Sequence, residues 1–249
     1  DETVPATTLN KMCGSGMKAA MIGFDQIKLG YSQTLAVGGM ESMSNAPYLL
    51  PKMRSGARLG HGKVVDHMFL DGLEDAYEPG RLMGTFAEDC AEKYQFTREA
   101  QDDYALTSLE NSLSAQKVGA FENEIRTIEV TDRKGAKSLV LLDEQPQNAR
   151  PDKIPYLKPA FRKNGTVTPA NSSSISDGAA ALILASKSYS EKEGLPVRAR
   201  ILGHSSYAHA PGLFTTAPVY AVKNLLKSID WSIEMVDLWE VNEAFAVVP

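Results

Sequence analysis

Cysteine is almost missing: Cys13 and Cys90 are the only two in 249 residues. Two thiols cannot build a disulfide framework, which points to a reducing, cytoplasmic compartment. Long apolar runs are missing as well, and no stretch reaches the length of a membrane-spanning helix. There is no basic surplus. The formal net charge is -5, from 26 Lys and Arg against 31 Asp and Glu, so the chain carries no electrostatic footprint for nucleic acid. It opens Asp1-Glu2, without a basic n-region or an apolar h-region, so no signal peptide is visible. The four histidines, His61, His67, His204 and His209, match no established metal-ligand spacing even with Asp66 beside His67, and they read as surface residues or residues of the chain's loop-rich middle. No metal site is expected.

What the chain does have is an ordinary globular composition, 43% hydrophobic and 23% charged, with length for one or two domains. Its most informative stretch is Thr7-Thr8-Leu9-Asn10-Lys11-Met12-Cys13-Gly14-Ser15-Gly16-Met17-Lys18-Ala19-Ala20. A short strand-like segment runs into a cysteine, the cysteine opens a Gly-Ser-Gly turn, and the turn opens a helix. Unpaired N–H groups and the macrodipole at a helix N-terminus favour a thiolate, the nucleophilic form of the side chain. The two glycines allow a tight turn and close approach of a substrate. The competing reading is a small buried hydrophobe, the commoner fate of a free cysteine. A second competitor is a nucleotide site, since Gly14 to Ala19 fits G-x-G-x-x-A. That fingerprint wants an acid at the end of the next strand, roughly 20 residues on. Here Thr34-Leu35-Ala36-Val37 ends in Gly38-Gly39, and Glu41 comes late, so the nucleotide reading falls below the nucleophile.

Periodicity organises the rest. Met17 to Leu29 predicts a helix apolar on several sides, hence buried, with Gly30 as its stop. Thr34 to Gly39 predicts a short apolar strand. From Glu41 to Gly84, Gly, Pro, Met and single charges alternate, with Lys52, Arg54, Arg58 and Lys63 as basic points, which predicts loops and short elements. Thr85 to Phe121 predicts helices, one starting near Thr97. Ile125–Val130 and Ser138–Leu142 predict paired strands around Arg133-Lys134-Gly135. Gln145 to Pro159 reads as irregular. Asp177 to Ser186 reads as a return to the core, Arg198–Gly203 as a strand, Tyr220–Ile229 as an amphipathic helix and Leu238–Val241 as a buried strand. Helices and apolar strands alternate at both ends around a different middle, which implies an α/β core interrupted by an inserted α+β lid domain.

These residues resemble a known family. Asn10-Lys11-Met12-Cys13-Gly14-Ser15-Gly16 resembles the nucleophile segment of thiolases, and Gly38-Gly39-Met40-Glu41-Ser42-Met43-Ser44 resembles the loop that follows it. Met83-Gly84-Thr85-Phe86-Ala87-Glu88, Lys158-Pro159-Ala160-Phe161, Gly165-Thr166-Val167-Thr168, Ser176-Asp177-Gly178-Ala179-Ala180 and Val241-Asn242-Glu243-Ala244-Phe245-Ala246 follow in the family's order. The resemblance covers essentially the whole chain and is greatest to the acetoacetyl-CoA-forming type. It implies a layered core of αβαβα type and a reversible Claisen condensation of two acetyl-CoA to acetoacetyl-CoA plus CoA. Residues 1–43 would belong to the N-terminal core, 44–174 to an inserted lid that binds CoA, 175–196 to the return into that core, and 197–249 to the start of the C-terminal core. Cys13 would attack the thioester and carry the acyl group. Asn242 would help hold a water in an oxyanion hole; read without the family, it is a turn residue at a strand end. Leu73, Met83, Ala160, Phe161 and Ser173 would line the path of pantetheine and adenine, with Ala244 and Phe245 near the thiol end. The alternative for Leu73 and Phe161 is lid core. No permanently bound cofactor is implied, since CoA and acetyl-CoA enter as substrates. The implied assembly is a homodimer or homotetramer.

The departures bear on the same site. Leu82 stands where the family often has His, and Asp143-Glu144 is followed by Gln145 rather than a base, with Arg150 the candidate for that phosphate contact. Phe214 stands where the type usually has Met against the acyl group, which favours short chains. The family's Gly-His-Pro and Cys-x-Gly-Gly segments, with their acid/base histidine and cysteine, are expected beyond Pro249, and the chain reads as cut at both ends. Two alternatives stay open: a related condensing enzyme such as a ketoacyl synthase, and a non-catalytic CoA-binding fragment.

Overall fold

The computed structural model describes residues 2–249. In chain order the regular elements are α1 (Ser15–Lys28), β1 (Thr34–Glu41), β2 (Tyr48–Leu49), β3 (Val65–Asp66), α2 (Met83–Tyr94), α3 (Arg98–Lys117), β4 (Ile128–Thr131), β5 (Lys137–Val140), α4 (Glu144–Asn148), β6 (Gly178–Ala185), α5 (Lys187–Lys192) and α6 (Ala217–Ser228). The chain forms two compact units. The first takes everything up to Met83, with Ile175–Ala208 and Ala217–Asp237. The second takes Gly84–Ser174, His209–Thr216 and Leu238–Pro249.

In the first unit β1 and β6 pair antiparallel over their whole length, from Thr34 opposite Ala185 to Glu41 opposite Gly178. Residues 42–177 therefore leave from one strand and return on its neighbour, the topology of an insertion. α1 lies on one face of this pair. Burial alternates along β1, so Leu35, Val37 and Gly39 share the helix-facing side. Gly23, the buried residue of α1, sits where a Cβ would come within 2.9 Å of Val37 Cγ1 and 3.1 Å of Leu184 Cδ1. At the other end a Cβ on Gly39 would lie 2.8 Å from the Gly16 nitrogen. The small residues thus let helix and strand backbones touch. α1 ends as its sequence predicts: Gly30 has φ +79, its N–H donates to Ile27 O, and Tyr31 N–H donates to Gln26 O, a Schellman closure.

Three expectations need correction. α1 is not buried all round: Met17 is 73% exposed, because the sheet covers only one of its faces. Arg198–Gly203 forms no strand. Its end is held instead by side chains, Gly203 against Leu225 and Ile229, His204 Nε2 2.9 Å from Asp25, and Ser205 Oγ donating to Ala221 O at the side of α6. Leu238–Val241 is neither strand nor buried, with Leu238 76% exposed. An apolar run becomes a strand only when another strand takes its backbone groups, and among the described residues none does.

The second unit is built on α2 and α3. α2 buries Gly84, Phe86, Ala87, Glu88, Cys90 and Ala91. α3 starts at the predicted cap, where the Thr97 hydroxyl accepts from Ala100 N–H at 3.1 Å. The β4–β5 hairpin forms around Gly135, which adopts φ +83. The stretch expected to be irregular holds α4 and a 3-10 turn, Pro151–Tyr156, that buries Ile154. The Ile154 carbonyl accepts from Arg98, whose guanidinium pairs with Asp102 at 2.7 Å.

Candidate active site

Cys13 is exposed. It adopts φ +54, a left-handed conformation that costs a non-glycine residue about 1–3 kcal/mol and recurs where a site needs a side chain aimed. The thiol is not on the helix itself. Gly14 is the N-cap and α1 begins at Ser15, so Cys13 lies one residue outside the cap. Local hydrogen bonds hold this turn. Gly14 N–H donates to Lys11 O at 2.8 Å, while the Ser15 hydroxyl accepts from Lys11 N–H at 3.0 Å and donates to Lys11 O at 3.1 Å. The close contact of Gly16 with Gly39 then ties the turn to β1. So the glycine spacing that mimics a nucleotide fingerprint serves helix–strand contact. Beyond β1, Ser44 N–H donates to Asp177 Oδ1 at 2.9 Å and its hydroxyl donates to Oδ2. These bonds, the hydroxyl's first, hold the Asp177 carboxyl below the usual carboxylate range.

The second unit carries the strip that contains Asn242. Ser172 bridges to Phe245, Ser173 N–H donates to Ala244 O at 3.0 Å, and Ala246 N–H donates to Asn171 O at 2.9 Å. The Phe161 ring meets the Phe245 ring edge-on at 6.1 Å and lies against the backbone of Gly84, which leaves no room there for a Cβ. Behind Phe161 the loop is fixed by buried Glu88, whose carboxylate accepts from Thr166 N–H and Val167 N–H at 2.9–3.0 Å. Ala160 N–H in turn donates to Val167 O at 2.9 Å.

Of the ten candidate residues, Ala160, Phe161, Ser173, Ala244 and Phe245 come together in this patch, and Asn242 stands exposed at its edge. Phe214 lies in the same unit, edge-on to Phe86 at 6.2 Å. Cys13, Leu73 and Met83 belong to the first unit; Leu73 ends a π-helical turn, Phe69–Leu73, and Met83 opens α2, both half-buried. Sequence reasoning assigned nothing to Glu88, Asn171, Tyr104 or Ser108, although Glu88 stood inside a quoted motif. Among the described residues no group of three or more His, Cys, Asp or Glu could hold a metal ion, and no helix is long and apolar enough to cross a membrane.

Comparison with known proteins now decides the family. The thiolase N-terminal domain model matches residues 1–188 and the thiolase C-terminal domain model matches 195–249. The chain belongs to the thiolase family. This thiolase chain is 48% identical over 242 residues to a probable acetyl-CoA acetyltransferase of Dictyostelium discoideum, covering 97% of the chain and 58% of the relative. It is 46% identical over 244 residues to an acetyl-CoA acetyltransferase of Pseudomonas aeruginosa, covering 98% and 62%. Its fold matches the crystal structure of the Bacillus anthracis acetyl-CoA acetyltransferase with a TM-score of 0.93 at 38% identity, over 100% of this chain and 62% of that one. A thiolase from Ascaris suum in complex with coenzyme A matches with a TM-score of 0.88 at 40% identity, over 97% and 61%. The thiolase chain thus spans about three fifths of the length of these relatives. Its architecture is the α/β fold of the family.

Proposed function

We propose that this chain carries the acyl-accepting cysteine and part of the CoA-binding surface of an acetyl-CoA acetyltransferase. One observation carries the reading: an exposed Cys13, in a left-handed turn tied to the start of α1, within a chain matched along both thiolase models. The Cys13 sulfur attacks the carbonyl of acetyl-CoA. A bond forms from that sulfur to the acetyl carbon, the bond to the CoA sulfur breaks, and the CoA thiolate leaves and takes up a proton. A second acetyl-CoA loses an α-proton to a base and attacks the acetylated Cys13. The carbon–carbon bond forms, acetoacetyl-CoA departs, and the Cys13 thiolate is restored. Thiolysis is the reverse. Asn242 serves the second step by holding a water toward the enolate oxygen, where a fixed donor acts on charge that develops only in the transition state.

The CoA arm lies along the patch of Ala160, Phe161, Ser173, Ala244 and Phe245, with Phe214 of the same unit as a further contact. Its support is chemical: apolar rings and small residues suit an extended pantetheine, and a serine hydroxyl suits its amides. The insertion between β1 and β6 contributes Ala160, Phe161 and Ser173 to this surface. The working enzyme is a homodimer or homotetramer.

The test is to incubate the full-length protein with radiolabelled acetyl-CoA, digest it, and locate the label. Label on the Cys13 peptide, lost in Cys13→Ser, supports the reading. Label on the Cys90 peptide, or none, overturns it.

A further inference from the structure

Glu243 lies between the two residues assigned to chemistry and binding, Asn242 and Ala244, and α3 takes both of its carboxylate oxygens. The Tyr104 hydroxyl donates to Oε1 at 2.9 Å and the Ser108 hydroxyl donates to Oε2 at 2.7 Å. Tyr104 and Ser108 are four residues apart, so both hydroxyls stand on one face of the helix and converge on the one carboxylate. The same helix reaches this strip a second time. Asp102, paired with Arg98, accepts from Asn171 Nδ2 at 3.0 Å, and the Asn171 carbonyl accepts from Ala246 N–H at 2.9 Å. α3 therefore fixes the strip on both sides of Ala244: at Glu243 through two hydroxyls, and at Ala246 through a buried asparagine.

The two grips differ in kind. Asn171 and Asp102 are buried and hold the unit's core together. Tyr104 and Glu243 are exposed and Ser108 is half-buried, so their contact adds little packing. What it adds is direction. A carboxylate gripped at both oxygens cannot swing, so the backbone carrying it holds one orientation, and the next side chain upstream is Asn242. Among the described residues, the backbone hydrogen bond at Asn242 itself is the local one from Ala244 N–H to Asn242 O at 3.0 Å.

We infer that Tyr104 and Ser108 are positioning residues for Asn242, acting through Glu243. This inference rests on the reading of Asn242 as an oxyanion-hole residue. Tyr104 keeps its proton across the neutral range: burial, and then its bond to Glu243, push its hydroxyl up to about 12. The donor is therefore present wherever the enzyme would work.

The experiment uses the full-length protein with Tyr104→Phe, Ser108→Ala, the double variant, Ser108→Thr and Asn242→Ala, alone and combined. Three quantities are read for each: acyl transfer to Cys13, acetoacetyl-CoA formation, and the melting temperature, with rates normalised to the native fraction from size exclusion. The double variant is expected to lose about tenfold to a hundredfold in condensation, the scale at which a misplaced group costs rate, with acyl transfer nearly unchanged. Ser108→Thr, which keeps the hydroxyl, restores most of the loss. In the Asn242→Ala background the double variant costs little more, because the positioned group is already gone. If Asn242→Ala leaves condensation intact, the reading of Asn242 fails and takes the inference with it. If Asn242→Ala is crippled while the double variant condenses normally, or if the two losses simply multiply, the inference alone is overturned. A fall in melting temperature with normal condensation per native molecule also overturns it.

Discussion

Phe161 meets Phe245 edge-on, with ring centroids 6.1 Å apart and planes at 86°. Phe245 is buried to 8% exposure, while Phe161 is half-buried and rests on the backbone of Gly84. Such a pair is worth about 0.5–1.5 kcal/mol beyond its buried area. The pair sits in the patch with Ala160, Ser173 and Ala244 that is proposed to receive the CoA arm.

Phe161→Ala should therefore act on binding more than on chemistry. Removal of contacts shared by ground and transition states raises KM with little change in kcat. Steady-state kinetics against acetyl-CoA, run beside a thermal melt, check this. An unchanged KM with a lower melting temperature would assign Phe161 to the lid core alone.

Gly84→Ala attacks the same patch from behind. A Cβ there meets the Phe161 ring, and buried Phe86 and Ala87 follow it in α2, so the ring must move. Overpacking of this kind costs about 1–3 kcal/mol. Chemical denaturation should register that loss, together with a KM rise in the direction of Phe161→Ala. Near-wild-type stability and KM would show that the ring is free to shift.

The two cysteines should label at different rates. Cys13 is exposed, whereas Cys90 is 6% exposed within α2 and reacts only when the unit opens locally. Peptide mass analysis of brief iodoacetamide treatment at neutral pH should find the Cys13 peptide modified first. Faster labelling of Cys90 in the native protein would count against Cys13 as the accessible nucleophile.

What could be read from the chain was local. The Gly14-Ser15-Gly16 turn, the Gly30 stop, the Thr97 cap and the Gly135 hairpin each depend on a few adjacent residues, and each stands where expected, with Cys13 just outside the cap rather than on the helix. What could not be read depends on distant partners. β1 and β6 were both visible as apolar runs, but nothing in either says that they pair. Leu238–Val241 looked like a strand because apolar runs do, yet strandhood needs a neighbour. Tyr104 and Ser108 carry no local signal, because their partner Glu243 lies 139 and 135 residues away. The nucleophile reading of Cys13 rests on its turn as well as on the family motif, whereas the reading of Asn242 rests on the family motif alone.

Acid should loosen the contact between Ser44 and Asp177. The folded carboxyl titrates below its unfolded value of about 3.9, because Ser44 hydrogen-bonds the charged form. Its contribution is complete above the unfolded value and is lost as pH falls through the lowered folded value. The group is exposed, so the effect is small. Melting temperatures measured from neutral pH down to about pH 2 should fall more steeply for the wild type than for Asp177→Asn, which has no titrating group there. Parallel acid profiles would mean that the contact contributes nothing to stability.

Gly39→Ala tests how the nucleophile turn is held. A Cβ on Gly39 would sit 2.8 Å from the Gly16 nitrogen and 2.9 Å from its Cα, and both are backbone atoms of α1 that no rotamer change can move. The first turn of the helix must lift from β1, at a cost of about 1–3 kcal/mol for a forced backbone shift. Cys13 rides on that turn, three residues before Gly16, so its acylation should slow by more than the lost native fraction explains. Gly62→Ala is the control, since nothing lies within 4 Å of its Cβ position, and it should stay within about 0.5 kcal/mol of wild type. Denaturation curves give the first quantity, and acyl transfer to Cys13 normalised to native protein gives the second. A destabilised Gly39→Ala protein that acylates at the normal rate would mean that the Ser15–Lys11 clasp alone holds Cys13 in place. A protein with neither defect would mean that α1 and β1 separate without consequence for the turn.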